Sequence, residues 1–281
     1  MMTPIMWPAP ELERWRLMAS DRIIFSGPSL SNRTTSYQGI EFRPPCKQGD
    51  VYRATLQKPS VIGVIDGYFD GMPSVWHKEI LWALDQGIHV VGSASMGALR
   101  AAELHKFGMI GLGQVFEWYK SGEIEDDEEV AILHGPLELG YPTLSLATVN
   151  VRACCEKALS NGVLTPSEQE TVLRSAQQIH YKERTWQTLF KVLADTKLEE
   201  QTIASFKTFI ENHGFDQKSI DAHDLCKFVA DGDFSSPFQS DFIFEETEFW
   251  YQNTKSWTQT SANENTESPQ NRESERFRLF D

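Results

Sequence analysis

The fold is decided by one stretch of sequence, Ile88-His89-Val90-Val91-Gly92-Ser93-Ala94-Ser95-Met96-Gly97. Its first half is a continuous apolar run, which is typical of a strand buried on both faces. Its second half is a turn of small residues, and a helix is predicted to follow from about Met96 to Phe107, where Gly108 ends it. The stretch therefore predicts a buried strand that passes through a tight turn into a helix.

The same kind of strand occurs twice before this stretch. One apolar run covers residues 21–27 and ends in glycine, and another covers residues 61–67 and ends in Asp-Gly. Apolar residues at helical spacing predict a helix over residues 74–86, before the third strand. Strands that alternate with helices need crossover connections, so the expected fold is α/β with a parallel, Rossmann-like sheet.

The 281-residue chain changes character after about residue 150. We predict an α/β core over residues 20–158 and a C-terminal α-helical region over residues 159–245. Residues 246–281 are rich in Asn, Ser, Thr and Glu and are expected to form a disordered acidic and polar tail. Within this half of the chain, helices are predicted at residues 151–159, 167–180, 185–193, 197–212 and 221–229.

Composition argues against several classes of protein. A net charge of −14 does not suit a nucleic-acid binder or a protein that docks on an anionic membrane. The four cysteines lack metal-ligand spacing, and no apolar run is long enough to span a membrane. We therefore expect a cytoplasmic protein with no metal and no cofactor.

Three polar turns are predicted to meet at one edge of the sheet. They follow the three strands, at residues 26–29, at residues 66–69 and at residues 93–97. In open parallel sheets, ligands bind beyond the carboxyl ends of the strands. This edge is therefore the expected functional surface.

Ser95 is the first candidate for chemistry. A serine on a tight strand-to-helix turn exposes its hydroxyl, and the N–H groups of Met96 and Gly97 at the start of the helix are positioned to stabilise an oxyanion. The pattern is similar to the G-x-S-x-G nucleophile elbow, with Ser93 in place of the first glycine. The alternative is that Ser95 or Ser93 only caps the helix.

Further candidate catalytic residues lie in two places. Asp66 follows a buried strand and can orient a base, bind a cation or activate water, whereas the alternative is a plain Asp-Gly turn. His77 and Lys78 stand with Glu79 at the start of a predicted helix. His77 is a candidate general base, and Lys78 becomes one if burial lowers its pKa; the alternative is ordinary solvated charge.

Charged and small residues supply candidate binding groups. Arg100 can clamp a carboxylate or phosphate, or can pair with Glu103 one turn further along the helix. Gly27 belongs to a turn that can cradle an anion. The acidic run over residues 123–129 can bind a cation or a basic partner, or can be a solvated helix start.

Taken together, several short segments resemble the TfuA-like family, over roughly residues 22–155. The matching segments are Phe25-Ser26-Gly27-Pro28-Ser29-Leu30, Gly49-Asp50-Val51-Tyr52-Arg53-Ala54, Ile65-Asp66-Gly67-Tyr68-Phe69, Val75-Trp76-His77-Lys78-Glu79-Ile80-Leu81, Ser95-Met96-Gly97-Ala98-Leu99-Arg100-Ala101-Ala102-Glu103-Leu104, Phe107-Gly108-Met109, Gly111 and Asp126-Asp127-Glu128-Glu129-Val130.

The resemblance implies an accessory protein in the biosynthesis of ribosomally made peptide natural products. TfuA-like proteins work beside YcaO enzymes, which activate a backbone amide with ATP and replace its oxygen, often with sulfur. The family member is thought to supply sulfide by hydrolysing a thiocarboxylated sulfur-carrier protein. The implied partners are therefore a YcaO-type enzyme, the carrier protein and a precursor peptide.

This implied reaction suits the candidate residues. Acyl transfer from sulfur needs a nucleophile or activated water, a base and an oxyanion hole. We expect Ser95, with His77 or Lys78 and Asp66, to be catalytic, and the binding residues to be Gly27, Ser93, Met96, Gly97, Arg100 and Asp70. Asp70 and Arg100 are expected to hold the carrier's terminal glycines or the base. The alternatives are a non-catalytic module that docks on a YcaO enzyme, with the acidic run as its interface, and an unrelated serine esterase.

Overall fold

The computed structural model describes residues 20–30 and 37–264, with side chains described up to residue 258. Within this part of the chain, five strands form one sheet. They are β1 (Arg22–Phe25), β2 (Ile40–Arg43), β3 (Val61–Val64), β4 (His89–Ser93) and β5 (Ile110–Leu112). The predicted α/β class with a parallel sheet is confirmed.

The strand order is β2-β1-β3-β4-β5, and every neighbouring pair is parallel. Ile62 of β3 pairs with Ile23 of β1 on one side and with Val90 of β4 on the other. The chain leaves β1 toward β2 and then returns to build the sheet outward from β3. The order therefore reverses between β1 and β3, which is the place where doubly wound sheets open a ligand crevice.

Ten α-helices follow or separate the strands in the described residues. In chain order they are α1 (Asp50–Thr55), α2 (His77–Asp85), α3 (Met96–Leu104), α4 (Gln114–Ser121), α5 (Thr148–Ser160), α6 (Pro166–Gln177), α7 (Trp186–Ala194), α8 (Glu200–His213), α9 (Gln217–Asp231) and α10 (Glu248–Glu264). Short 3-10 turns lie at Pro28–Leu30, His105–Phe107, Asp127–Val130 and Leu137–Leu139.

The sheet has a hydrophobic core on each face. On one face, Ile23, Ile62 and Val90 pack with buried residues of α1 to α5. On the other face, the strands pack against α9, through Ala222, Leu225, Cys226 and Val229. Burial on both faces explains the continuously apolar strands. Helix α9 thus completes the core, although the sequence places it in a separate helical region.

The rest of the helical region has a core of its own. Buried residues of α5 to α8 form a third apolar cluster that includes Val151, Val172, Leu189 and Phe206. Helix α5 belongs to both this cluster and the sheet core, through Val151 and Val149 respectively. The two cores are therefore joined through one helix.

The chain after residue 246 differs in part from the expected disordered tail. Helix α10 begins at Glu248 and runs to Glu264. Its Trp250 and Trp257 are buried against aromatic residues of α1 and α2, with Trp250 centred 5.5 Å from Tyr52 and 5.8 Å from Trp82. Sequence composition hides this contact because two aromatic side chains are enough to anchor an otherwise polar helix. Residues 265–281 lie outside the described part of the chain.

Candidate functional site

The turns after β1, β3 and β4 lie at the same edge of the sheet because the three strands are neighbours and parallel. The first two turns touch directly: the N–H of Gly27 donates to Asp66 Oδ2 at 2.8 Å. Asp66 and Ser95 line one cavity at this edge. The structure thus brings together the three turns that the sequence singled out.

The cavity has a volume of about 290 Å³ and lies where the strand order reverses. Its walls come from the turn after β1, the turn after β3, the start of α3, residues 130–134, the segment before α7 and the first turn of α9. The polar and charged side chains that line it are Asp66, Tyr68, Asp70, Ser95, His134, Tyr181, Lys182 and Lys218.

Ser95 has a free hydroxyl at this cavity. The side chain is 4% exposed, does not cap α3 and has no hydrogen-bond partner in the described part of the chain. The tight turn is formed by Ala94, whose φ of 66° is uncommon for a residue with a side chain. The positive φ therefore falls one residue before Ser95, and the backbone of the turn places the Ser95 hydroxyl at the cavity.

The expected oxyanion hole is only half available. The N–H of Gly97 donates to the carbonyl oxygen of Ile65 at 3.2 Å, so it is not free for a substrate oxygen. A Cβ atom on Gly97 would lie 1.7 Å from the carbonyl oxygen of Val64. Gly97 is thus required for the close approach of α3 to β3. Of the expected pair of donors, Met96 alone is left for a ligand.

Asp66 holds the turn after β1 in place. Its carboxylate is 2% exposed and accepts hydrogen bonds from the N–H groups of Gly27 and Ser29 and from the hydroxyl of Ser29, at 2.8, 3.1 and 2.7 Å. These three hydrogen bonds show that Asp66 does more than form a turn with Gly67. Its contacts give it the geometry of a positioning residue at the cavity wall.

His77 and Lys78, the two residues predicted as general bases, do not line the cavity. His77 Nε2 lies 2.7 Å from Glu103, which also pairs with Arg100 at 2.8 Å, so Arg100 forms the helix ion pair that was its alternative interpretation. The ammonium of Lys78 lies 5.2 Å from the ring centre of Phe244, near α10. His77 therefore contacts α3, and Lys78 lies near the start of α10, so neither side chain faces the cavity.

Glu79 is the buried member of the triplet. The carboxylate accepts hydrogen bonds from the N–H groups of Tyr52 and Trp76 and so joins the starts of α1 and α2. Burial raises the pKa of Glu79 to about 7, although those hydrogen bonds act in the opposite direction. Its role is to connect two helices, away from the cavity.

The other predicted binding residues divide in the same way. Ser93 is fully buried and donates to the carbonyl oxygen of Asp221 on α9, so it holds that helix against β4. Asp70 lines the cavity and pairs with Lys182 at 2.6 Å. The hydrogen bonds from Lys182 and then Tyr181 lower the pKa of Asp70.

The acidic run is partly used inside the protein. Asp126 caps the 3-10 turn that follows it, Glu128 pairs with the buried Arg184 at 2.8 Å, and Glu129 accepts from Gln177. In the described ranges, no group of three or more His, Cys, Asp or Glu side chains could hold a metal ion. The run therefore ties residues 126–129 to α6 and to the segment before α7.

Of the eight polar and charged side chains at the cavity, five were not predicted as site residues, and His134 and Lys218 are two of them. His134 lies in an irregular segment, and its Nδ1 is 2.8 Å from the carbonyl oxygen of Gly135. A carbonyl only accepts, so Nδ1 carries a proton, and Nε2 is the ring nitrogen that is left to exchange a proton with a ligand. Lys218 on α9 is 3% exposed. The only sequence signal for either one is a polar residue type, and only the fold brings them to Ser95.

Comparison with known proteins agrees with the resemblance found in the sequence. Residues 66–185 match a family model described as TfuA-like protein. The match begins at Asp66, includes the start of α3 and the irregular segment with His134, and extends beyond the predicted core into the helical region. The search of curated proteins found no match. No helix in the described residues is long and apolar enough to cross a membrane.

Proposed function

We propose, from the premise that the chain carries a TfuA-like domain, that it partners a YcaO enzyme in peptide backbone thioamidation and releases sulfide from a thiocarboxylated sulfur-carrier protein. The observation that carries this proposal is the free hydroxyl of Ser95 at a cavity that also contains His134. Acyl transfer uses a serine hydroxyl as the nucleophile and a histidine ring nitrogen that can accept its proton.

The proposed reaction has two steps. The Ser95 oxygen attacks the thiocarboxylate carbon and forms an acyl-serine ester, while the C–S bond breaks and the serine proton leaves with sulfur as hydrosulfide. Water then hydrolyses the ester, which restores Ser95 and yields the carrier carboxylate and a proton. His134 Nε2 is the proposed base in both steps, and the Met96 N–H is the proposed oxyanion donor.

Two histidine variants test this assignment. We expect His134→Ala to lower the rate of sulfide release by about 100-fold or more, which is typical of the loss of a general base. His77→Ala is the matched control, because His77 contacts Glu103 of α3 and does not line the cavity. The assay is sulfide release from a thiocarboxylated carrier. A rate that falls in His77→Ala and persists in His134→Ala would restore the sequence-based choice of base.

A docking role is the second candidate, because exposed leucines follow the cavity residues Leu133 and His134 in the chain. Leu137 and Leu139 are 53% and 71% exposed, on a loop that begins with the cavity residues Leu133 and His134. Exposed apolar groups of this kind mark protein interaction sites. We expect Leu137→Asp with Leu139→Asp to abolish pull-down of a YcaO partner. Loss of binding in this variant, combined with no sulfide release by the wild-type protein, would favour the non-catalytic role.

A further inference from the structure

Lys218 is a buried lysine whose side chain has one hydrogen-bond acceptor and no ion-pair partner among the described residues. The residue is 3% exposed, and its ammonium donates to one acceptor in the described residues, the carbonyl oxygen of Val130 at 2.7 Å. No carboxylate oxygen of those residues lies within 4.0 Å of the ammonium nitrogen. An ammonium has three N–H donors, so two of them have no acceptor among the described side chains and backbone.

The nearby acidic groups do not fill this gap. Asp66 and Asp216 act on Lys218 only at longer range and favour its charged form, whereas burial lowers its pKa. Asp66 uses its carboxylate on Gly27 and Ser29, and Asp216 Oδ1 accepts from Asn150 and from the N–H of Ser219. A buried charge without a close partner is costly. This site therefore has a strong preference for an anion.

The position of Lys218 shows where that anion would lie. Lys218 lines the cavity that contains Ser95 and also a second cavity of about 220 Å³, and Pro28 and Ile132 line both. The backbone N–H of Lys218 donates to Asn150 Oδ1, which fixes the first turn of α9 beside the two cavities. An anion that reaches Lys218 from the cavity mouth would share the space of Ser95.

We propose that Lys218 binds the terminal anionic group of the carrier tail, the thiocarboxylate before reaction and the carboxylate after it. This inference rests on the proposed function and adds a substrate-binding residue on α9, outside the TfuA-like match. The other cavity lysine, Lys182, is exposed and paired with Asp70, so its charge is already balanced. Substitution of Lys218 is therefore expected to weaken anion binding at this cavity, whereas substitution of Lys182 is not.

Binding of two peptides tests the proposal without any need for turnover. The probes are one peptide ending in two glycines as a free carboxylate and the same peptide as a carboxamide, and their dissociation constants are measured by calorimetry. We expect the wild-type protein to prefer the carboxylate by about tenfold or more, which is typical of one hydrogen bond to a charged group. Lys218→Met should remove this preference, Lys218→Arg should keep part of it, and Lys182→Met should keep it.

The results that would overturn the proposal are equally specific. They are a wild-type protein that binds both peptides equally or binds neither, or a Lys218→Met protein that is folded by circular dichroism and still prefers the carboxylate. Loss of the preference in both lysine variants would also overturn it. Failure of the hydrolase proposal gives a different pattern, with no sulfide release while the carboxylate preference and its dependence on Lys218 persist.

Discussion

At the scale of single residues, Asp66 joins two loops that are 37 to 39 residues apart in sequence. Its carboxylate satisfies two backbone N–H groups and one hydroxyl in a buried position. Backbone donors at a cavity wall would otherwise lie in a poorly solvated place without an acceptor. The shape of the cavity beside Ser95 therefore depends on this side chain.

Removing that carboxylate should destabilise the fold. We expect Asp66→Ala to lower the free energy of unfolding by about 3 kcal/mol or more, because Gly27 and Ser29 lose their acceptor. Asp70→Ala is the control, since the exposed Asp70 lines the same cavity and its loss should leave the urea midpoint unchanged. Equal midpoints for the wild type and Asp66→Ala would contradict the positioning role.

Glu79 should make stability depend on pH. Its pKa is raised to about 7 in the folded protein, from 4.5 in the unfolded chain, so the folded state holds the proton more tightly between these values. Stability is then complete below pH 4.5 and falls as the pH rises to 7, by about 3 kcal/mol.

The comparison with Glu79→Gln isolates this effect. The amide does not titrate, so the stability of the variant should be lower at acidic pH but should fall less as the pH rises. Urea unfolding at a series of pH values measures both curves. Parallel curves for the two proteins would show that Glu79 does not titrate in this range.

At the scale of elements, α10 is held to the core by few side chains. Trp250 is 2% exposed and packs on Tyr52 and Trp82, whereas the adjacent Tyr251 is 59% exposed. We expect Trp250→Ala to cost about 3–5 kcal/mol in stability, as for other buried aromatic residues, and Tyr251→Ala to cost less than about 0.5 kcal/mol. Thermal unfolding measures both, and similar costs for the two variants would mean that α10 does not pack as described.

The elements also show how far sequence reasoning reaches. Apolar runs at residues 61–67 and 88–92 predict β3 and β4 well, and the helix predicted over residues 74–86 is observed at His77–Asp85. Strands β2 and β5 were not predicted. Ile40–Arg43 alternates apolar with charged residues, but over four residues only, which is a short strand signal that was missed in the sequence. Ile110–Leu112 is three residues long with a central glycine and has no strand pattern of its own.

The candidate site was predictable only in part, for a related reason. The rule that parallel strands end at one edge correctly places Ser95 and Asp66 together. His77 and Lys78 were predicted as bases because they are polar and lie between Asp66 and Ser95 in the chain. Which side chains of α2 reach the cavity is decided by how the helix packs, and the sequence does not show this. Lys218 is 123 positions after Ser95 in the chain, and only tertiary packing of α9 on the sheet brings it to the cavity.

At the scale of the whole molecule, the cavity depends on helices and segments that also pack against the sheet and against the helical region. Helix α9 covers one face of the sheet and brings Lys218 to the cavity. The carbonyl oxygen of Asp221 on this helix accepts a hydrogen bond from the Ser93 hydroxyl of β4. Residues 126–134 add the wall with His134. They connect through the Glu128–Arg184 ion pair to the segment before α7, and Arg184 also bonds to Ala176 of α6. The helical region thus contributes directly to the site at the sheet edge.

The central claim is that Ser95 at this edge is the nucleophile, and paired serine variants test it most directly. The measurement is the rate of sulfide release from a thiocarboxylated carrier by Ser95→Ala and by Ser93→Ala. Ser95→Ala should lose activity by about 1,000-fold or more, as nucleophile variants do. Ser93→Ala should keep the wild-type rate within a few-fold, because its hydroxyl only holds α9. A Ser95→Ala protein that releases sulfide at the wild-type rate would contradict the account.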